Sequence, residues 1–301
     1  MVVLGAGRDT SYLRRRFGGD GGRGTALPPS TGWYEVDHPS VVREKARRWL
    51  PRCVPGGHRY QFDEVGDAYA VDIFEDGREA AGGTADDDGR GGGCGYHLVG
   101  HDLRGPPSGL FGALSGCGYD ASAPTLFVLE CVLMYLPEDS ARSLLAGIAS
   151  SPVGPGSAAV VAYDPVPGGG RFGNLMVDNL RRALGVVAGG GGEAARLSLE
   201  TTRTLSDQLG RLEGCGFRSA AGCDMMDAYN CGVVPPEERR RAARCEMLDE
   251  LEEFELLMRH YCLVVGVATG GEGDDDALRL CSVGEDSPVG FREGKCSVIG
   301  S

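Results

Sequence analysis

Short apolar, β-branched runs recur along this chain, separated by stretches whose apolar residues repeat at helical spacing. Val2–Leu4 reads as a first strand and "GWYEV" (32–36) as a second. A helix over 40–50 should follow, with basic residues on its outer face. "YHLVG" (96–100) is a third strand and "TLFVLE" (125–130) a fourth. The helix after it begins near Pro137, with Glu138 and Asp139 in its first turn, where the helix dipole favours negative charge. "AAVVAY" (158–163) is a fifth strand. Alternation of strand and helix predicts a parallel, doubly wound α/β sheet.

The later part keeps the rhythm loosely. Helical spacing covers 171–187 and 205–212, then 217–223 suits a strand. Residues 236–258 read as one long charged helix whose apolar stripe is Leu248, Leu251, Phe254, Leu257 and Met258. Residues 261–268 make a last, strongly apolar strand. The sum is a seven-stranded, mostly parallel sheet with a helical insertion or lid at 171–212.

Composition changes this picture in three places. Fifty glycines among 301 residues are many, and they concentrate in tracts at 18–24, 82–95 and 188–192 that hold too few apolar side chains to pack. These read as flexible insertions, and the tail at 269–301 as disordered, leaving one domain over 1–268. A net charge of −13 argues against a general nucleic-acid or anionic-membrane binder. The eleven cysteines show no paired spacing, and Cys131, Cys215, Cys223 and Cys262 sit in or beside apolar segments as small hydrophobes. With no apolar run of membrane-spanning length and no leader ahead of the first strand, the expected location is the cytoplasm.

In open α/β sheets ligands bind beyond the carboxyl ends of the strands, so the residues there carry the chemistry. Strand one ends in Gly5-Ala6-Gly7, which lets backbone approach a ligand closely. Asp37 ends strand two and suits a pair of ribose hydroxyls. Asp102 and Leu103 end strand three, suiting an adenine amino group and ring face, and Glu130 ends strand four. Thr10 stands where a dinucleotide fingerprint needs its third glycine, and no Gly-Lys-Ser/Thr follows. An acidic rim disfavours phosphates and favours a positively charged adenosine compound, of which S-adenosylmethionine is one.

On these residues the chain resembles the leucine carboxyl methyltransferases. The likeness lies in "LGAGRDT", "YEVDHP", "GHDLR", "LECVLMYLPEDSA", "RFG", "DMMDAYN" and "LMRHYCLV", spread from Val2 to about Ala268. It implies a class I S-adenosylmethionine-dependent methyltransferase that esterifies the C-terminal leucine of the protein phosphatase 2A catalytic subunit. It implies cofactor contacts at Gly5, Gly7, Asp37, Asp102, Leu103 and Glu130. Tyr135 falls where a family tyrosine approaches the peptide carboxylate. Tyr163 and Arg171 lie at or near the end of strand five, and Arg171 is the remaining cation that could grip that carboxylate. The family carries a helical segment before strand one, with a lysine and an arginine that help close the site. This sequence starts inside the strand, has no counterpart for either, and reads as a truncated product.

A monomer without nucleic-acid, membrane or metal partners is expected. Two other readings stay open: a small-molecule O-methyltransferase on the same fold, and an inactive scaffold that binds a phosphatase without cofactor. The relative that acts on a modified transfer-RNA base carries kelch repeats, which this sequence lacks.

Overall fold

In the computed structural model, residues 1–17, 32–54, 58–75, 95–151, 158–185, 196–230, 234–245, 248–268, 289–292 and 295–298 are described. The glycine tracts expected at 18–24 and 188–192, and all but the last residue of that at 82–95, lie outside them. The chain divides into two compact units, Met1–Asp120 and Ala121–Ser301.

In the first unit, β1 (Val2–Leu4), β2 (Trp33–Asp37) and β5 (Tyr96–Gly100) are parallel, and β3 (His58–Val65) with β4 (Ala68–Glu75) forms an antiparallel hairpin outside them. The order is β3-β4-β5-β2-β1. Helices α1 (Ser11–Phe17), α2 (Pro39–Glu44), α3 (Leu50–Cys53) and α4 (Pro107–Gly116) complete the unit. The β3–β4 hairpin adds two strands to those read from the sequence: two β-rich runs are joined by Gly66-Asp67, and Gly66 takes φ 61°, as the first residue of a tight hairpin loop can. At Gly100 a Cβ would lie 2.5 Å from the Asp67 carbonyl oxygen, so this glycine lets the hairpin loop close onto β5.

The helix expected over 40–50 is present with a change. α2 and α3 are joined by a π-helical turn, Lys45–Trp49. Arg43, Arg47 and Arg48 face outward as expected, but Lys45 turns inward and is buried. The cause is Glu35, buried on β2: Lys45 Nζ lies 2.6 Å from Glu35 Oε2, and the Tyr96 hydroxyl donates to the same oxygen at 2.9 Å. Tyr96 stacks on Tyr12 with ring centroids 4.0 Å apart, joining this polar pair to the aromatic core.

In the second unit, β6 (Thr125–Glu130) and β7 (Ala158–Pro165) are parallel. β9 (Tyr261–Ala268) runs antiparallel to both β7 and β8 (Ser219–Asp224), giving the order β6-β7-β9-β8. Helix α5 (Glu138–Ser150) buries Ala141, Leu144, Leu145 and Ile148, one face of a helical period. α6 (Arg171–Ala183), α7 (Ser198–Thr201) and α8 (Leu205–Gly214) supply the helices expected between 171 and 212. α9 (Met225–Asn230) follows β8.

The single helix expected over 236–258 is instead two, α10 (Pro236–Cys245) and α11 (Leu251–Arg259). Carboxylates at 249, 250, 252, 253 and 255 repel one another inside a helix. Breaking the run places Glu252 and Glu253 in a first turn, where the helix dipole favours them. The stripe named on that segment is largely exposed at Leu248, Leu251 and Leu257. In the tail, the described residues form two short antiparallel strands, β10 (Val289–Arg292) and β11 (Lys295–Val298).

The seven strands read from the sequence are β1, β2, β5, β6, β7, β8 and β9, and the arrangement is α/β, with β1, β2 and β5 parallel in the first unit and β6 and β7 parallel in the second. No helix among the described residues is long and apolar enough to cross a membrane.

Lys45→Met tests the buried pair. An uncompensated Glu35 should cost about 3 kcal/mol at neutral pH. Burial already lifts the Glu35 carboxyl above its ordinary range. Without Lys45 it rises further, so the folded variant holds a proton that the unfolded chain has released, and its stability falls as pH rises. Urea midpoints should therefore show a larger deficit near pH 8 than near pH 5; a deficit independent of pH would reject this account.

Candidate functional site

Each unit carries its own set of candidate residues at strand ends. In the first, the chain leaves β1 through Gly5 (φ 66°) and Gly7 (φ 49°), both in the left-handed region where a side chain is strained. Gly5 and Ala6 donate their amides to the Val36 carbonyl oxygen at 2.7 and 3.2 Å. Gly7 N–H then reaches the Asp37 carboxylate, 2.7 Å from Oδ2, while Oδ1 accepts His38 N–H at 2.6 Å. The Asp37 carbonyl oxygen takes His101 N–H at 2.8 Å. Gly5, Gly7, Asp37 and the start of "HDL" thus form one hydrogen-bonded edge. Each Asp37 oxygen accepts one amide and keeps lone-pair capacity for a further donor, which fits a ribose diol.

Asp102 sits on this edge already paired, which its sequence context does not reveal. Arg104, two residues on, grips it through Nε at 2.9 Å, Nη2 at 2.6 Å and its backbone amide at 3.0 Å. These bonds hold the Asp102 carboxyl down at about 2. An incoming amino group would share this carboxylate with Arg104. Leu103 beside it is almost fully buried.

In the second unit, Glu130 ends β6 exposed, with no hydrogen-bond or ion-pair partner among the described residues. Such a carboxylate fits a cationic ligand. The next residue, Cys131, has φ 51°, the one described non-glycine residue in the left-handed region. Its amide donates to the Tyr163 carbonyl oxygen at 2.7 Å, and the chain enters a 3₁₀ turn, Leu133–Tyr135. The reversal buries Leu133 and leaves Tyr135 49% exposed, clear of the core. Burial pushes the Cys131 thiol up to about 11 and the Tyr163 phenol up to about 12, so both stay neutral. Tyr163 stacks on Tyr261 at 5.3 Å.

Arg171 opens α6, exposed and without an ion-pair partner among the described residues. Two residues on, a Cβ at Gly173 would fall 1.5 Å from the Pro167 carbonyl oxygen. Only glycine lets the loop after β7 lie against this first turn, which explains the glycine of "RFG". Arg203 ties the same loop to α6, through Gly168 O at 2.8 Å and Asn174 Oδ1 at 2.6 Å. His260 is held by Leu256 O at 2.7 Å and meets the Phe172 ring edge-on, a structural role. Among the described residues no cluster of His, Cys, Asp or Glu could hold a metal ion.

A sequence model of one family, described as leucine carboxyl methyltransferase, matches residues 1–149. Leucine carboxyl methyltransferase 1 of Bos taurus is 30% identical over 272 residues, covering 90% of this chain and 70% of that protein. The tRNA wybutosine-synthesizing protein 4 of Homo sapiens is 31% identical over 267 residues, covering 88% of this chain and 33% of its own length. Among solved structures, an O-methyltransferase family protein from Burkholderia thailandensis superposes with a TM-score of 0.42 at 13% identity, over 90% of this chain and 51% of that one.

The left-handed Cys131 generates a prediction. Cys131→Gly should leave stability within about 1 kcal/mol of the parent, because glycine adopts that conformation freely. Cys131→Val, stiff and β-branched, should cost about 2 kcal/mol more. Equal urea midpoints for the two variants would show that the conformation at 131 is not constraining.

Proposed function

The chain belongs to the leucine carboxyl methyltransferase family, and on that footing we propose that it methylates the α-carboxylate of the C-terminal leucine of the protein phosphatase 2A catalytic subunit. The proposed methyl donor is S-adenosylmethionine. The observation that most supports this reading is the turn of Gly5 and Gly7 over Asp37, with lone pairs left on that carboxylate at the end of β2.

When bound, S-adenosylmethionine supplies an electrophilic methyl group on a sulfonium. Asp37 would hold its ribose hydroxyls and Leu103 would pack against the adenine. Asp102, shared with Arg104, would accept from the adenine amino group. Gly5 and Gly7 would let backbone approach, and Glu130 would meet the methionine end. Tyr135 would donate a hydrogen bond to the acceptor carboxylate, and Arg171 would supply positive charge to it.

An α-carboxylate has an ordinary pKa of about 3.3–3.7 and is ionised at neutral pH, so the reaction needs no general base. The sequence has five histidines, and none is given a proton-transfer role. What the acceptor lacks is freedom from water. The chain's task is then to strip and aim one oxygen, and good aim alone can supply about 7–11 kcal/mol of the barrier. A strong ion pair on that carboxylate would stabilise the ground state over a transition state in which negative charge is being lost. A hydroxyl donor with an exposed cation suits that demand.

The test is transfer of labelled methyl from S-adenosylmethionine to the purified phosphatase catalytic subunit, beside a copy lacking its final leucine. Label on the first alone is expected. Label on a transfer RNA, or on free carboxylic acids without the phosphatase, would replace this reading. Asp37→Ala should weaken S-adenosylhomocysteine binding at least tenfold by calorimetry, and unchanged affinity would remove the ribose assignment.

A further inference from the structure

The second unit buries a polar cluster that the proposed reaction does not use. Asp164, on β7 directly after Tyr163, is 1% exposed, and Arg211, on α8, is 2% exposed. Asp164 Oδ1 lies 3.4 Å from the Met134 amide, its carbonyl oxygen accepts the Cys262 thiol at 3.5 Å, and its buried Oδ2 has no hydrogen-bond partner. Arg211 donates through Nη1 to Ser198 Oγ and through Nη2 to Gln208 Oε1. Ser198, itself buried, donates its amide to the Leu136 carbonyl oxygen at 2.9 Å.

Met134 and Leu136 are the two neighbours of Tyr135. The short turn that presents Tyr135 is therefore gripped on both flanks from one buried cluster: by Asp164 through the Met134 amide, and by Arg211 through Ser198 and the Leu136 carbonyl. Within the turn, Tyr135 N–H bonds Val132 O at 3.1 Å and Leu136 N–H bonds Leu133 O at 3.0 Å. The Tyr135 side chain makes no hydrogen bond among the described residues and stands half exposed.

Burying an acid and a guanidinium costs several kcal/mol per ion, and apolar side chains of similar volume would stabilise the fold as well or better. Stability alone is a poor reason for this pair at this place. We propose that Asp164 and Arg211 are positioning residues that fix the Leu133–Tyr135 turn and so aim Tyr135 at the acceptor carboxylate. The proposal rests on the methyltransferase reading for what Tyr135 touches, and on geometry alone for the grip on the turn.

The charged and titratable groups around the pair are consistent with a neutral-pH step. Asp164 is faced by Arg211 from α8, by Cys262 from β9 and by Cys131 from the strand-end reversal. Arg211 also feels Glu138 and Arg142 of α5, and Cys215. Burial, partly offset by Arg211, lifts the Asp164 carboxyl to about 7. Above that pH the ionised carboxylate is the stronger acceptor for Met134 N–H, and below it the grip loosens.

Asp164→Leu and Asp164→Asn separate the roles, since asparagine keeps an acceptor for Met134 but loses the charge and the titration. Amide exchange is read first because it needs no activity. Met134 N–H should exchange at least tenfold faster in the leucine variant, with Val160 in the β7 core unchanged; unaltered Met134 exchange would overturn the proposal even if the protein proved to be no methyltransferase. With the phosphatase as acceptor, the leucine variant should lose at least tenfold in kcat/KM while its S-adenosylhomocysteine Kd stays within twofold. Tyr135→Phe should then add little to it, because the aim is already lost. The asparagine variant should fall between and show no kcat/KM step near pH 7. Fully multiplicative Asp164 and Tyr135 effects would overturn the positioning role. An inactive parent with fast-exchanging Met134 in the leucine variant would instead sink the substrate assignment and leave the grip standing.

Discussion

The Val36 carbonyl oxygen accepts two successive amides, Gly5 at 2.7 Å and Ala6 at 3.2 Å, and the ligand-facing edge of the first unit is laid out from that point. A parallel pair can continue its ladder past the last residue of β1 only if the backbone turns at once, which takes the positive φ of Gly5 and Gly7. The turn brings Gly7 N–H onto Asp37, and Asp37 in turn takes His101 N–H. Three strand ends are thereby fixed relative to one another by main-chain bonds, and the Asp37 carboxylate adds one more to Gly7 N–H. Surface side chains could not do this as well, because each would lose rotamer freedom to hold the same place.

The two units handle buried charge differently. Glu35 and Lys45 touch directly at 2.6 Å, with Tyr96 adding a second donor. The pair sits under β2, two residues before Asp37, where it fastens the π-turn to the sheet. Asp164 and Arg211 are coupled at longer range, and each spends its hydrogen bonds on backbone or neutral side chains: Asp164 on the Met134 amide, Arg211 on Ser198 of α7 and on Gln208 of its own helix. The first arrangement stiffens one junction, and the second ties several elements to one short turn.

Much of this was legible in the residues. Most of the seven strands showed as apolar, β-branched runs, and the glycines and carboxylates that end the parallel ones could be named because a parallel sheet places strand termini on one edge. Pairings between side chains were not legible. Nothing in "HDLR" says that Arg104 folds back onto Asp102, and Lys45 looked like one more basic residue on an outer face until Glu35 was found beneath it. The β3–β4 hairpin lies between Pro55 and a glycine tract, and its mark in the sequence is two short runs joined by Gly66-Asp67. Periodicity also overstated the helix over 236–258, because a hydrophobic count is blind to repulsion among neighbouring carboxylates. Asp164 and Arg211 gave no signal, since burial of an ionisable side chain is a property of the packed fold.

The thiols near the second unit's strand ends have a consequence for chemical durability. Nucleophilic attack and oxidation by peroxide both proceed through the thiolate. Burial, helped by nearby carboxylates, holds the Cys131 thiol up at about 11 and that of Cys262 at about 12, so both stay protonated at pH 7. The Cys131 sulfur thus sits beside Glu130 as a neutral thiol. Oxidants and electrophiles that act through a thiolate should therefore react slowly with these two cysteines, which leaves the strand-end residues beside them chemically undisturbed.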